Sequence, residues 1–284
     1  MKRELGNQRW NRKRTSYRPA RETIRTELYD VAELAADTEA RRFVEEHHYS
    51  GTYPAARFRF GLFTRGELVG CAVFSHPCND RCLTSVFNVP AHASVELGRF
   101  VLLDEVPGNG ETWFLARCFE VLRREHELIG VVSFSDDCPR ETSAGETIFA
   151  GHIGTIYQAA NARYLGRGTA RTLKLLPDGR VFSDRTYQKI RAGERGWLYG
   201  ARILQSHGAA PINQDATREE RLVWLSHWIK QLTRPLRHPG SHKYAWPFEK
   251  EGRRILSFSL PYPKRRRESD ATQPGEQLNL FKAA

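Results

Sequence analysis

Apolar residues recur along this chain with two spacings, and each spacing predicts a different kind of element. A spacing of three or four residues predicts a helix over 35–47, where Ala40, Phe43 and Val44 share one face. A second amphipathic helix is expected over 112–125. Alternation and short apolar runs predict strands over four segments: 57–64, 67–75, 95–103 and 129–135.

Turn and cap signals predict the elements that follow. Residues 151–155 lead into a predicted helical run over 156–166. Pro177-Asp178-Gly179 predicts a hairpin of strands 170–176 and 180–184.

Beyond residue 205 the chain changes character. Thr217 and Glu220 form a capping box that starts a helix, and its apolar stripe runs from Leu222 to Leu232. The basic face of that helix is either solvated or lies on nucleic acid.

This order of elements predicts a mixed α/β (α+β) fold. We expect one central sheet, mostly antiparallel, with a parallel pair at its middle and helices on its flanks. The expected organisation is a basic flexible arm over 1–25, a catalytic domain over 26–205, a basic helical extension over 206–262 and a disordered tail over 263–284.

One strand–turn–helix segment, residues 93–125, predicts an anion site. An apolar strand ends at Asp104, the turn Pro107-Gly108-Asn109-Gly110 follows, and the helix begins near Thr112. Backbone N–H groups at such a junction gather into a cradle for an anion, and glycine lets a phosphate approach closely. The segment therefore predicts a cofactor or nucleotide site.

Charge suggests a polyanionic partner. The net charge is +11, with basic residues crowded before residue 26 and again over 264–267. Basic segments at both ends favour nucleic acid over a merely soluble basic protein.

Cysteine usage and hydropathy predict the compartment. Five cysteines, no signal peptide and no long apolar run favour a reducing cytoplasm and no membrane span. His76, Cys78 and Cys82, with Cys138, have loose spacing for a zinc site, so buried or loop thiols are the favoured interpretation.

Five short pieces, in this order and spacing, resemble the Mom family of phage DNA modification proteins over residues 43–185. The pieces are His48-Tyr49-Ser50, Glu96-Leu97-Gly98-Arg99, the glycine loop with Thr112, Ser133-Phe134-Ser135-Asp136, and Gly151-His152-Ile153-Gly154 with Tyr157-Gln158-Ala159. The order of elements also resembles the GNAT acyltransferase fold, in which a loop after the fourth strand holds the pyrophosphate of acyl-CoA.

The resemblance implies conversion of adenine N6 in double-stranded DNA to a carbamoylmethyl derivative, which shields phage DNA from host restriction. It implies catalytic roles for His48, Tyr49, Asp136 or Asp137, and Tyr157. It implies a donor site at Arg99, Gly108, Asn109, Gly110 and Thr112, with an acyl-CoA-like donor. An iron dependence is also implied, which no motif here indicates. Glu105 stands where acyltransferases carry a cation or an amide, and its charge would repel a pyrophosphate.

The residue types fit that chemistry. Adenine N6 is a poor nucleophile, so a histidine base is expected at His48, in a polar, aromatic turn. Asp136 or Asp137 would orient this histidine or else cap a turn, and Tyr157 would protonate the leaving group or pack on the sheet. A duplex adenine must flip out of the stack, and the aromatic candidates for holding it are Tyr49, Tyr53, Phe134 and Tyr157.

The tail contains a second motif. Gln277-Leu278-Asn279-Leu280-Phe281 resembles the pentapeptide that binds the bacterial sliding clamp, in which leucine and phenylalanine fill an apolar cleft. The alternative is a chance run in a polar tail.

Two other functions compete with DNA modification. A GNAT N-acyltransferase acting on a protein or small amine would need neither basic segments nor a clamp motif. A catalytically silent DNA-binding protein or clamp-recruited inhibitor would not need His48, Tyr49 and Asp136 to converge.

Overall fold

The computed structural model describes residues 7–19, 21–77, 79–248 and 258–264. Its strands are β1 Asn7–Asn11, β2 Arg14–Arg18, β3 Asp30–Glu33, β4 Ala56–Thr64, β5 Glu67–Ser75, β6 Ser94–Leu102, β7 Gly130–Ser135, β8 Arg140–Glu141, β9 Thr147–Phe149, β10 Arg163–Arg167, β11 Arg171–Leu175, β12 Val181–Phe182, β13 Arg234–His238 and β14 His242–Pro247. Its helices are α1 Asp37–His47, α2 Arg81–Phe87, α3 Gly110–Arg124, α4 Thr155–Ala159, α5 Asp184–Ala192, α6 Trp197–Gln205 and α7 Arg218–Leu232.

A seven-stranded sheet in the order β10-β14-β7-β6-β5-β4-β3 forms the centre of the molecule. Strands β6 and β7 are parallel, and every other neighbouring pair in this sheet is antiparallel. The expectation of a mixed α/β fold with a parallel pair at the middle of the sheet is therefore confirmed. The parallel pair arises because α3 carries the chain back across the sheet between β6 and β7.

The helices cover the two faces of the sheet. Side chains of α3 and α4, including Phe114, Leu122 and Tyr157, pack into the larger core. Phe43 of α1 packs with Val73 on the opposite face, and α2 also lies on that face. Successive strand residues point to opposite faces of the sheet. Because helices cover both faces, the central strands are apolar and buried on both.

The parallel strands separate beyond the middle of the sheet. Pairing joins Ser94–Leu97 of β6 to Gly130–Ser133 of β7, while β6 continues to Leu102 without pairing to β7. The separation leaves a cleft at the carboxyl ends of the strands, which is where open α/β sheets place ligands.

The N-terminal segment differs from the flexible arm predicted for residues 1–25. Residues 7–18 instead form a hairpin of β1 and β2, and β1 lies against β6. Trp10 and Arg9 are buried in it. The charge pattern predicts exposure because arginines are rarely buried, but here the guanidinium finds polar partners inside the fold.

Two further expectations are corrected. The helical run predicted over 156–166 ends at Ala159, and the chain continues into β10. The extension predicted over 206–262 is not purely helical, because β14 inserts between β7 and β10 of the central sheet. Aromatic residues favour strands, but in β10 and β14 they are mixed with basic residues, so no clear alternation of apolar and polar positions marks these strands.

A second, smaller core lies in residues 171–238. The sheet β12-β11-β13 and helices α5, α6 and α7 surround it, with Ile190, Leu204 and Leu225 fully buried. The predicted hairpin at Pro177-Asp178-Gly179 and the capping box of Thr217 and Glu220 are both present. No helix in the described part of the chain has the length and apolarity needed to cross a membrane.

Candidate functional site

The cleft between β6 and β7 encloses a cavity of about 420 Å³, a size typical of small-ligand sites. Four parts of the fold wall it: β1, the turn after α1, the loop and first turn of α3, and residues 152–159. Pro263 and Lys264 complete the wall from the other end of the chain. Of the residues implied by the resemblance, the cavity is lined by His48, Tyr49, Gly108, Thr112 and Tyr157.

His48 directly follows α1 and lies in the cavity wall, 6% exposed. The backbone N–H of Ser50 donates to its Nδ1 at 3.2 Å, and the Ser50 hydroxyl lies 2.9 Å from the same atom. Burial, then the charge of Arg99, holds the pKa of His48 well below its ordinary value. The imidazole is therefore neutral at pH 7, and its Nδ1 accepts a hydrogen bond.

Tyr49 belongs to an aromatic cluster that closes one side of the cavity. Its ring centroid lies 4.6 Å from that of Trp10 and 4.6 Å from that of Phe149. The His48 ring lies 4.2 Å away on another side. Burial raises the pKa of Tyr49, so the phenol keeps its proton.

Tyr157, on α4, lies across the cavity from the turn after α1 and is 7% exposed. Its ring packs edge-on to Tyr244 and Trp246 of β14. Burial raises the pKa of Tyr157; a hydrogen bond between its hydroxyl and Ser133 opposes this shift, and nearby Tyr49 and Glu96 add to it. The group is therefore a phenol that can donate a proton.

Arg99 is not in the cavity wall. It donates to both the carbonyl and the hydroxyl of Thr52 (2.9 and 2.8 Å) and to the carbonyl of Gly98. These bonds fasten the turn that carries His48 to β6. Its charge also faces Tyr49 and Glu96, a largely buried carboxyl whose pKa burial raises. In the structure Arg99 therefore has a positioning role.

Asp136 lies at the end of β7 in a network of its own. It accepts hydrogen bonds from the Cys138 N–H and the His238 ring, each at 2.9 Å, and it pairs with Arg140. The expectation that it orients His48 is wrong, because Ser50 fills that position.

Asp137 forms the matching contact with the C-terminal strands. Its carboxylate accepts hydrogen bonds from both Nη atoms of Arg167 (2.8 and 2.5 Å). One carboxylate oxygen also lies 3.2 Å from Nε2 of His242. Burial alone would raise its pKa, but Arg167 and His242 lower the pKa of Asp137 to about 2. Neither aspartate reaches His48, and both instead join β7 to β10, β13 and β14.

The glycine loop is occupied by the protein itself. The N–H of Gly108 donates to the Glu22 carboxylate at 2.7 Å, and Arg18 pairs with that carboxylate. The side-chain oxygen of Asn109 accepts the N–H of Ile24 at 2.6 Å. A carboxylate of the N-terminal segment thus takes a position where the sequence predicts a phosphate.

The rest of the loop is packed in the same way. The Gly110 N–H donates to the Pro107 carbonyl, and a Cβ at Gly110 would lie 2.5 Å from Val106. The Thr112 hydroxyl donates to the Asn109 carbonyl. Gly110 is therefore required by close packing.

Arg9 fills the space beneath this loop. It is 3% exposed and donates from Nε to Glu111 at 2.5 Å. Its Nη atoms donate to the carbonyls of Leu103, Val106 and Pro107. The buried guanidinium is thereby matched with one carboxylate and three backbone acceptors.

These contacts bear on the two cofactors implied by the resemblance. Glu22 and Glu111 place carboxylates where an acyl-CoA pyrophosphate would bind, so the loop does not fit that group. No group of three or more His, Cys, Asp or Glu side chains suited to a metal ion exists among the described residues, so no iron site is assembled there. Cys78 of the weak zinc motif lies outside the described residues.

His152 also lines the cavity, although the sequence patterns predict no role for it. It follows Gly151, whose φ is +76°, and its ring faces Trp10, Tyr49 and Tyr157. Two glycines bracketing a histidine were the available signal, because positive φ fixes the direction of the residue between them.

The model of the Mom protein family matches residues 29–264. No curated protein matches. A GNAT family acetyltransferase from Elizabethkingia anophelis with acetyl-CoA bound aligns over 78% of this chain and 99% of its own, with 7% identity and a TM-score of 0.34.

A tandem GNAT protein from the clavulanic acid biosynthesis pathway aligns over 71% of this chain and 65% of its own, with 11% identity and a TM-score of 0.35. Scores in this range support no functional inference. The family match is different in kind, because it spans most of the chain and includes every cavity-lining piece from His48 to Lys264. The chain belongs to the Mom protein family.

Proposed function

We propose that this protein transfers a carbamoylmethyl group to N6 of adenine in double-stranded DNA, in the cytoplasm of a bacterial host, and so shields phage DNA from restriction. One observation carries the proposal beyond family membership. One cavity is lined by His48, Tyr49 and Tyr157, three of the residues that the resemblance marks as catalytic. The donor of the group is not acyl-CoA held on the glycine loop, since Glu22 fills that loop.

The cavity suits a flipped base. Its walls combine apolar side chains such as Phe100 and Ile156 with rings that can stack on a purine, Tyr49 and Tyr157 among them. Flipping costs a few kcal/mol, roughly what stacking on one or two aromatic rings returns.

The segment that surrounds the second core, residues 171–238, supplies a surface for DNA. Residues 171–238 contain thirteen lysines and arginines against six aspartates and glutamates. On α6 and just before it, Arg202 and Arg195 are exposed and have no carboxylate within ion-pair distance among the described residues. Tyr199, between them, is 69% exposed. Unpaired cations beside an exposed aromatic ring favour contact with a phosphate backbone.

Mass spectrometry of nucleosides tests the function directly. DNA from bacteria expressing the full chain should contain a deoxyadenosine enlarged by one carbamoylmethyl group, and DNA from cells with the empty vector should not. Unmodified DNA in cells that contain abundant, folded protein would reject the proposal.

The contribution of α6 to DNA binding has its own prediction. The double variant Arg195→Ala, Arg202→Ala should bind duplex DNA more weakly and lower the slope of log affinity against log salt by about 2, one for each lost phosphate contact. Arg185→Ala is the matched control, because Arg185 already pairs with Glu194 at 2.6 Å. An unchanged slope in the double variant would place the DNA elsewhere.

A GNAT acyltransferase acting on a protein or small amine is the competing function. Such an enzyme needs the loop N–H groups for its cofactor, and the Gly108 N–H is bonded to Glu22. This contact counts against it. The positive charge on the surface of residues 171–238 also has no part in acylating a small amine.

Recruitment by the bacterial sliding clamp is a separate proposal. Gln277, Leu278, Asn279, Leu280 and Phe281 lie outside the described residues, so the proposal rests on the sequence motif. The double variant Leu280→Ala, Phe281→Ala should abolish binding of the full chain to a purified clamp while leaving binding to bare DNA intact. Equal clamp binding by this variant and by wild type would exclude the motif.

A further inference from the structure

The imidazole of His152 is held toward the cavity by its backbone. The backbone N–H of His152 donates to the Asp136 carbonyl at 2.7 Å. Gly151 and Gly154 both have φ of +76°, and a Cβ on either would come within 2.8 Å of Asp137 or Tyr157. Only glycine fits these two positions without strain, so the segment presents His152 in one direction.

The ring of His152 has aromatic neighbours but no hydrogen bond. Its centroid lies 5.9 to 6.4 Å from those of Trp10, Tyr49, Phe149 and Tyr157. Within the described ranges nothing donates to or accepts from either ring nitrogen, and neither nitrogen is sealed from solvent. A nitrogen lone pair of His152 is therefore available to a ligand in the cavity.

His48 differs in this respect. The Ser50 N–H donates to its Nδ1, which must then carry a lone pair and no proton. The neutral ring consequently has its proton on Nε2. Neither nitrogen of His48 can accept a proton from a ligand while this bond exists, and His48 acts as a hydrogen-bond donor.

The other ionisable groups in the wall are also committed. Glu111 is bonded to Arg9, so protonating it would break a buried ion pair. Burial raises the pKa values of Tyr49 and Tyr157, which therefore keep their protons. Lys264 is a cation. This leaves His152 as the available proton acceptor among the cavity-lining residues that the structure describes.

We propose that His152 is the catalytic base of this cavity and that His48 is a fixed donor; this rests on the proposed group transfer. As the substrate nitrogen bonds to the electrophilic carbon of the donor, its proton passes to His152. The bond from that carbon to its leaving group breaks, the electron pair goes with the leaving group, and the Tyr157 phenol protonates it. The imidazolium of His152 then returns a proton to the tyrosinate, whose ring centroid is 6.4 Å away.

The charge state of His152 agrees with this role. Burial lowers the pKa of His152 to about 4, with Asp136 and Asp137 opposing the shift and His242 and Arg140 adding to it. His48 lies on another side, and its own pKa is lowered by His152. The imidazole of His152 therefore stays neutral above about pH 4. The attacking nitrogen of the substrate becomes cationic as it bonds to the donor carbon, and it is then acidic enough to transfer its proton to His152.

Chemical rescue tests the assignment. The full-length protein is assayed on duplex DNA, with the small-molecule fraction of a bacterial extract as donor source. His152→Ala should lower the initial rate by roughly 10²- to 10⁴-fold, and added imidazole should restore part of it. His48→Ala should also lose activity but without rescue, and the exposed His92→Ala should match wild type. A His152→Ala rate equal to wild type, or rescue of His48→Ala alone, would overturn the proposal.

A second measurement separates this proposal from the proposed function. Nitrogen-15 NMR of labelled histidines should show His48 as the Nε2–H tautomer and His152 neutral down to about pH 4. If wild type forms no modified base, the proposed function fails. The spectra then decide alone: a His152 that is protonated at pH 7, or a His48 with its proton on Nδ1, refutes the assignment.

Discussion

Replacing Arg9 with alanine is expected to lower the free energy of unfolding by about 3–5 kcal/mol. The substitution removes the partner of Glu111, a carboxylate that is 7% exposed and whose second oxygen already lacks a hydrogen bond. It also leaves three carbonyls after β6 without their donor. An unpaired buried charge costs far more than the net value of the ion pair, so the loss should be large.

Denaturant unfolding measures this effect. Arg14→Ala in the same hairpin is the control, because Arg14 is exposed and should change stability by no more than about 0.5 kcal/mol. The double variant Arg9→Met, Glu111→Leu should recover most of the lost stability, since it removes both charges. Equal stability of Arg9→Ala and Arg14→Ala would mean that the hairpin is not packed in solution as described.

Replacing Tyr157 with phenylalanine is expected to lower the modification rate by roughly 10²- to 10⁴-fold, the usual contribution of a general acid. The ring and its packing on Tyr244 and Trp246 remain, and only the hydroxyl, which is hydrogen-bonded to Ser133, is lost. Thermal unfolding should therefore change little. A rate loss without a stability loss distinguishes a chemical role for the hydroxyl from a packing role for the ring.

The measurement is the fraction of modified deoxyadenosine formed with time. Tyr187→Phe is the control, because Tyr187 packs in the second core, away from the cavity. If Tyr157→Phe retains full activity, Tyr157 is not the general acid.

Local patterns were sufficient to predict four of the seven strands of the central sheet. The apolar runs of β4, β5, β6 and β7 are long and bounded by clear turns, and a helix between β6 and β7 requires a parallel pair. Strand β14 was missed because its sequence, HKYAWP, mixes basic and aromatic residues and follows a long helix. Its position between β7 and β10 depends on partners far away in sequence.

The candidate site was also predicted only in part. His48, Tyr49 and Tyr157 were predicted and lie together. The glycine loop was recognised as an anion cradle, but Arg9 and Glu22, which occupy it, come from a segment about 85 to 100 residues away. The charge pattern of the sequence predicts that such residues are solvated. Only the folded structure shows that they find hydrogen-bond and ion-pair partners inside the protein.

The place of β14 determines when this protein can become active during its synthesis. Strand β7 has no partner on one side until residues 242–247 are available, and the wall formed by Pro263 and Lys264 comes later still. A nascent chain still attached to the ribosome through its C-terminal residues therefore presents an open sheet edge and an incomplete cavity. The complete cavity forms only after residues 242–264 have been synthesised, and a product that ends before residue 242 lacks both β14 and the wall formed by Pro263 and Lys264.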